Sequence, residues 1–296
     1  MKRAVIDMGT NTFNLLIADV DGHSFKSVHS TKEPVLLGMG GINKNKIAPD
    51  AMARAFLALK KFMKTCDAFK IERKDILAIG TSALRGAENA DNFRKKAKKL
   101  FDIDVRIISG QEEAKLIYQG VKWTYDFSST GVIMDIGGGS SEFIRANADG
   151  VTNLISLDIG VSRVYQQFGF PETYTKELQT SIFNYFDECA KGQMTHFEAD
   201  ILIGASGSFE TFFEMIFETP WVPKQEITEF RVEKLRKILD WSIESSQIER
   251  NENVWITQIR KTMLPIAALQ VVWALNKTKA SRVILSPYSL KEGALN

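Results

Sequence analysis

Asp135-Ile136-Gly137-Gly138-Gly139-Ser140-Ser141-Glu142 follows an apolar, β-branched run, and Asp7-Met8-Gly9-Thr10-Asn11-Thr12 follows another. Set 128 residues apart, the two stretches align without a gap: Asp7 with Asp135, Gly9 with Gly137, Ala18 with Ala146, Asp21 with Asp149 and Gly22 with Gly150. Each copy reads strand, glycine turn, strand, Asp-Gly hairpin, strand. The strands expected are 3–6, 13–20 and 23–30 in the first copy, and 131–134, 142–147 and 151–157 in the second. Two turn chemistries kept at one offset predict two related half-structures. The natural boundary, at 122–128, gives domains 1–124 and 125–296.

Between and after the copies, apolar residues take helical spacing. Met52, Phe56, Leu59 and Met63 follow Pro49-Asp50, and Phe93, Ala97, Leu100 and Phe101 form a second stripe. Leu178, Ile182, Tyr185 and Cys189 form a third, and residues 209–217, 232–243 and 265–275 give three more helices. Short strands at 76–79 and 201–203 run into Gly80-Thr81 and Gly204, and 219–229, with Pro220 and Pro223, reads as a surface loop. Strands alternating with helices make the chain α/β.

The composition removes several function classes. A length of 296 residues suits about two domains, and 44% hydrophobic with 25% charged residues describes a folded chain. Thirty-eight Lys+Arg against 36 Asp+Glu give +2, which argues against bulk binding of nucleic acid. Cys66 and Cys189 imply no disulfide framework, and His23, His29 and His196 show no zinc spacing. The first apolar stretch is cut by Asp7, too short for a signal peptide, and 265–275 is too short to span a bilayer. The expectation is a cytoplasmic protein with no membrane partner and no DNA or RNA duplex.

The chemistry gathers at five places. Gly9 lets the backbone turn tightly, Thr10, Asn11 and Thr12 suit phosphate oxygens, and Asp7 at a strand end suits a hydrated cation; a polar hairpin turn is the plain alternative. Gly137, Gly138, Gly139 and Ser140 let successive N–H groups converge on an anion, at an entropy cost a simple turn does not require. Asp135 and Glu142 flank them as Mg²⁺ partners, since Mg²⁺ takes one or two carboxylates beside phosphate oxygens. Gly204-Ala205-Ser206-Gly207-Ser208 opens a helix that offers N–H groups to an anion or a ribose-phosphate edge; a glycine connection with Ser208 as N-cap explains it equally. Arg85, after a strand-end turn, suits bidentate pairing with phosphate, or a structural role. In Ser109-Gly110-Gln111-Glu112-Glu113-Ala114, Ser109 and Glu112 have capping-box spacing, which leaves Glu113 as the freer carboxylate for a general base.

Other signals are weaker. There is no Walker A run, Gly-x-x-x-x-Gly-Lys-Ser/Thr. Asp19-Val20-Asp21-Gly22 has a haloacid-dehalogenase look, but its repeat at Asn147–Gly150 makes it a hairpin. No arginine follows Cys66 at tyrosine-phosphatase spacing. Arg94-Lys95-Lys96-Ala97-Lys98-Lys99 reads as a solvated helix face, with a track for a polyanion as the alternative.

Together these motifs resemble the exopolyphosphatase/guanosine pentaphosphate phosphatase family, which belongs to the actin-like, sugar-kinase-like superfamily with duplicated ribonuclease-H-like domains. The resemblance rests on residues 7–16, Thr81-Ser82-Ala83-Leu84-Arg85, residues 109–120 and Asp135 to Glu142. Weaker matches are Ile159-Gly160-Val161 with Arg163, the Gly204 turn, and Leu290-Lys291-Glu292-Gly293. Ala205 and Ser206 stand where threonines are usual, and 258–264 departs from the family's acidic pattern. In length the chain resembles the short members, without the helical C-terminal extension.

The resemblance implies an active site in the interdomain cleft, with Glu113 as the catalytic glutamate, Asp135 and Glu142 at the metal and Arg85 on phosphate. It implies hydrolysis of the terminal phosphate of inorganic polyphosphate by water, assisted by Mg²⁺ or Mn²⁺. Guanosine pentaphosphate is the second substrate expected, and a homodimer the oligomer expected. A small-molecule kinase on the same fold and a non-catalytic nucleotide- or polyphosphate-binding module are the readings from other classes.

Overall fold

The structure is a computed structural model that describes residues 1–22, 24–223 and 226–295. His23, where the third strand was expected to begin, and Lys224 and Gln225 within the expected loop lie outside the described residues. The chain divides into two units. The first holds Met1–Gly120 and the C-terminal segment from Leu290, and the second holds Val121–Ser289.

In the first unit β1 (Lys2–Met8), β2 (Thr12–Asp21) and β3 (Ser24–Pro34) form an antiparallel meander. β4 (Ile76–Gly80) and β5 (Val105–Ile107) extend it in parallel on the β1 side, giving the order β3-β2-β1-β4-β5. α1 (Pro49–Ala68), α2 (Ser82–Arg85), α3 (Ala90–Phe101) and α4 (Gly110–Val121) follow the strands. Ala4, Ile6 and Met8 of β1 and Phe13, Leu15 and Ile17 of β2 share one core with Phe56, Leu59 and Phe62 of α1 and Phe93 of α3. Side chains alternate along a strand. Asp7 and Asn14 therefore stand on the sheet face away from α1 and α3.

The second unit repeats the plan. β6 (Gly131–Ile136), β7 (Ser141–Asn147) and β8 (Gly150–Leu157) form the meander. After α5 (Val161–Gln167) and α6 (Lys176–Ala190), β9 (Ile201–Gly204) joins in parallel, followed by α7 (Gly207–Phe217). β10 (Thr228–Phe230), α8 (Val232–Glu244), α9 (Gln247–Glu252) and α10 (Leu264–Thr278) lead to β11 (Arg282–Leu285). The sheet order is β10-β11-β9-β6-β7-β8, the first unit's order with one antiparallel edge strand added. Even the bulge recurs at the offset: the register slips at Ile17/Ala18 in one unit and at Arg145/Ala146 in the other. The α/β class and the duplicated architecture are as the sequence implies.

Several boundaries differ from expectation. The chain leaves the first unit at Gly120, four residues early, and returns to it at Leu290, so the last segment does not belong to the second unit. Close packing explains the return. α11 (Leu290–Gly293) lies against β1 and β2, and a Cβ at Gly293 would stand 1.8 Å from the Leu116 carbonyl oxygen of α4. Arg3 also donates to the Leu295 carbonyl at 3.2 Å. The loop read over 219–229 ends in the short strand β10, paired to β11 by a backbone ladder that apolar spacing does not announce. Arg94, Lys95, Lys96, Lys98 and Lys99 are exposed, opposite buried Phe93 and Ala97. Phe209 and Phe212 are fully buried core residues, whereas Phe217 is exposed. No helix among the described residues is long and apolar enough to cross a membrane.

The glycine turn of the second unit is built on Gly160. A Cβ there would lie 2.4 Å from backbone atoms of Gly139 and 2.5 Å from the Gly138 carbonyl carbon. Gly160→Ala should therefore destabilise the protein by about 1–3 kcal/mol, the usual range for overpacking. The urea midpoint should fall without a change in the slope of the transition.

Candidate functional site

The two turns have one hydrogen-bond plan. Gly9 N–H donates to the Thr12 carbonyl at 3.1 Å, and Gly137 N–H to the Ser140 carbonyl at 3.0 Å. At both glycines a Cβ would come within 2.8 and 2.7 Å of that same oxygen, so only glycine fits. The carbonyls of Thr10 and Asn11 accept from Val35, Leu36 and Gly38. Those of Gly137, Gly138 and Gly139 accept from Val161, Ser162 and Arg163, with the Arg163 guanidinium on Gly139 at 2.9 Å. The amides of Thr10, Gly138 and Gly139, by contrast, have no acceptor among the described residues. Tied carbonyls and unbound amides leave each turn presenting donors, as an anion-binding nest does. Ser140 and Thr10 are buried beneath the turns, and Thr12 begins β2.

In the first unit Asp7 pairs across the strands with Asn14, whose amide donates to its carboxylate at 3.0 Å. Burial, and next the nearby Glu113 carboxylate, push the Asp7 carboxyl up to about 7; Asn14 and Lys291 oppose that shift, and Glu292 adds to it. Glu113 projects from the first turn of α4 and is buried. Its carboxylate meets the Arg85 guanidinium at 2.8 Å, and Arg85 also donates to the Ile108 carbonyl at 3.0 Å. Burial raises the Glu113 carboxyl above its ordinary range and Arg85 works against this. Sequence reading gave Arg85 and Glu113 separate roles; the structure joins them as an ion pair.

The capping argument holds only in part. The Ser109 hydroxyl accepts from the Glu112 N–H at 3.1 Å, but the Glu112 carboxylate meets Arg106. Glu112 is thus occupied, though by an arginine on β5.

In the second unit Asp135 and Glu142 are direct cross-strand partners. They occupy the places of Asp7 and Asn14 in the repeat, so an Asp–Asn pair becomes two carboxylates. Glu142 is buried and accepts from the Ser156 hydroxyl at 2.7 Å; Asp135 accepts from Ser289 at 2.6 Å. Like charges directly opposed on a sheet repel. Two carboxylate oxygen donors sharing one face beside an anion-ready turn fit a hard divalent cation. Asp7, with an amide beside it, calls for a cation less strongly. Among the described residues no group of three metal-ligating side chains occurs.

The third turn has other commitments. Ser206, not Ser208, precedes α7, and its hydroxyl accepts from the Ile136 N–H at 3.0 Å. A Cβ at Gly204 would strike the Phe209 ring, and one at Gly207 would fall 1.7 Å from the Arg260 guanidinium. Arg260 donates to Thr211 at 2.9 Å and stands 3.6 Å from Glu210. Gly204, Ser206 and Gly207 thus all serve packing within the second unit. Ser156, Ser289 and Arg260 carried no motif signal, whereas Asn14 lies in the 7–16 motif and at the offset of 128 from Glu142.

Comparison with known proteins follows the same lines. An exopolyphosphatase from Cytophaga hutchinsonii is 32% identical and superposes with a TM-score of 0.94, covering 100% of this chain and 96% of that one. A Ppx/GppA family member from Aquifex aeolicus shares the fold at 23% identity and a TM-score of 0.81, over 100% of this chain and 96% of that one. The bifunctional 3-dehydroquinate synthase/phosphatase of Fusobacterium nucleatum is 37% identical over 194 residues, 63% of this chain. That stretch is only 28% of the Fusobacterium protein's length. The model of the Ppx/GppA phosphatase family matches residues 16–296, from within the second strand through the Arg85–Glu113 pair and the triple-glycine turn, and the chain belongs to that family.

Proposed function

We propose that the protein is an exopolyphosphatase, which hydrolyses the terminal phosphate of inorganic polyphosphate with Mg²⁺ or Mn²⁺. The observation that carries this reading is the Arg85–Glu113 pair, a phosphate-seeking guanidinium bound to a buried carboxylate of raised basicity. When a terminal phosphate takes the guanidinium, Glu113 loses its partner and turns to the attacking water as general base. Its burial favours proton acceptance. Phosphoryl transfer asks little covalent chemistry of the protein, so orientation and charge stabilisation carry the rate. In each unit the turn amides, that of Thr10 in the first and those of Gly138 and Gly139 in the second, are suited to donate to phosphate oxygens. Asp135 and Glu142 would hold the divalent ion, which neutralises charge on the phosphates.

Polyphosphate is favoured over guanosine pentaphosphate by Arg260. Its guanidinium stands against Gly207 at the start of α7, where an anion or a ribose-phosphate edge was expected. The free thiols of Cys66 and Cys189 agree with a reducing, cytoplasmic setting.

Glu113→Gln should fold normally and lose about 10²–10⁴ in kcat, the usual worth of a general base. Phosphate release from long-chain polyphosphate, guanosine pentaphosphate and ATP, run in parallel, checks both base and substrate; full activity of the variant would sink the assignment. Arg85→Met strands a largely buried carboxylate and should lower stability by about 1–3 kcal/mol. Adding Glu113→Gln should restore most of that loss, and strictly additive effects in the double-mutant cycle would refute the coupling.

Asp7 gives a pH signature. Its folded pKa of about 7 lies above its ordinary 3.8. Between these values the native state holds a proton that the unfolded chain has lost, so stability falls as pH rises through that window. The slope is at most about 1.4 kcal/mol per pH unit. In metal-free buffer the melting temperature of Asp7→Asn should gain on wild type from pH 4 to 7; parallel curves would contradict the reading.

A further inference from the structure

The motif Leu290-Lys291-Glu292-Gly293 carries no assigned role, yet α11 is built into the face that bears Asp7 and Glu113. Three observations establish this within the first unit. α11 packs on β1 and β2, the strands of Asp7 and Asn14. Gly293 brings its backbone onto that of α4, since a Cβ there would stand 1.8 Å from the Leu116 carbonyl oxygen and 2.7 Å from Gly120 N. Lys291 and Glu292 both lie close enough to Asp7 to act on its charge.

The pair they form is unusual. Lys291 Nζ sits 2.9 Å from Glu292 Oε1, the lysine side chain about a quarter exposed and the glutamate 5% exposed. Consecutive helical residues do not face each other; stable pairs are spaced three or four apart. A glutamate buried this deeply is costly unless a cation accompanies it. That arrangement fixes an ammonium on α11, the helix that packs on the strands of Asp7 and Asn14.

We propose that Lys291 is a phosphate-binding residue of this site: Glu292 holds its ammonium beside Asp7, where it takes an oxygen of the substrate's phosphate chain. The proposal rests on the phosphoanhydride reading and names a further ligand for that substrate. Glu292 is a positioning residue, acting through Lys291. Gly293 fixes how near the turn can approach α4.

The test is binding of tripolyphosphate to the full-length Glu113→Gln protein by titration calorimetry, with Mg²⁺ present. Adding Lys291→Met should weaken binding by about tenfold or more, the worth of one hydrogen bond from a charged group. Lys291→Arg should keep binding within about threefold, since the charge persists. Glu292→Gln should fall between them. In the Glu113-intact enzyme, Lys291→Met should raise KM for tripolyphosphate more than it lowers kcat, a split that a merely structural lysine would not give. Unchanged affinity in Lys291→Met, or equal losses in Lys291→Met and Lys291→Arg, would overturn the proposal. If tripolyphosphate binds the parent but the enzyme releases no phosphate, the hydrolase reading fails while Lys291 is still decided by affinity. If the parent binds no tripolyphosphate, both fall.

Discussion

A turn that spends its carbonyls and keeps its amides is the constraint on which the structure depends. At Gly9 and Gly137 the chain closes on the carbonyl three residues ahead, leaving no room for a methyl group. The next carbonyls are then claimed from outside: by residues 35–38 in the first unit and by the 160–163 segment in the second. Donors alone are left to face outward. Buried or half-buried amides without an acceptor are costly, so the turn is most stable when an anion sits on it. In the second unit the tight seat of Gly160 against Gly138 and Gly139 holds that backbone shape.

On this common frame the two units differ in charge. The first carries Asp7 with Asn14, an acid beside an amide, and the second carries Asp135 with Glu142, an acid beside an acid. Two opposed carboxylates favour a cation, whereas Asp7 is raised by burial and by Glu113 against the opposing hydrogen bond of Asn14. The buried general-base candidate belongs to the first unit, against Arg85. Duplication therefore supplied the frame, and divergence at single positions assigned different chemistry to each copy.

Much of this was legible in the chain. The offset of 128 residues exposed the duplication because turn glycines, strand-end aspartates and hairpin Asp-Gly pairs cannot drift without breaking the backbone. Long helices were visible where one apolar stripe meets a sheet, as in Phe56, Leu59 and Met63. Segments whose stability is not written in side-chain periodicity were hidden. β10 and β11 are short ladders at a sheet edge. Arg250 is another such case: fully buried, it donates to the carbonyls of Ser245, Lys261 and Glu172, three segments far apart in sequence. The Gly204 turn reads in sequence as a phosphate loop or as a packing turn, and its packing against the Phe209 ring and the Arg260 guanidinium depends on contacts that the motif does not carry. Arg85 and Glu113 could be named singly, but their pairing depends on β4, β5 and α4 meeting in space.

The C-terminal turn follows from the same topology. In the first unit the chain leaves the fifth strand, passes Ser109 and enters α4 with Glu113 in its first turn. In the second it leaves β11, passes Ser289 and enters α11 with Glu292. The two helices are counterparts in the repeat, yet both belong to the first unit, where Gly293 lets them touch backbone to backbone. Each brings a buried glutamate within reach of Asp7, and each glutamate has a basic partner, Arg85 for one and Lys291 for the other. The transfer of α11 brings a second glutamate–cation pair to the unit that carries Asp7 and Glu113.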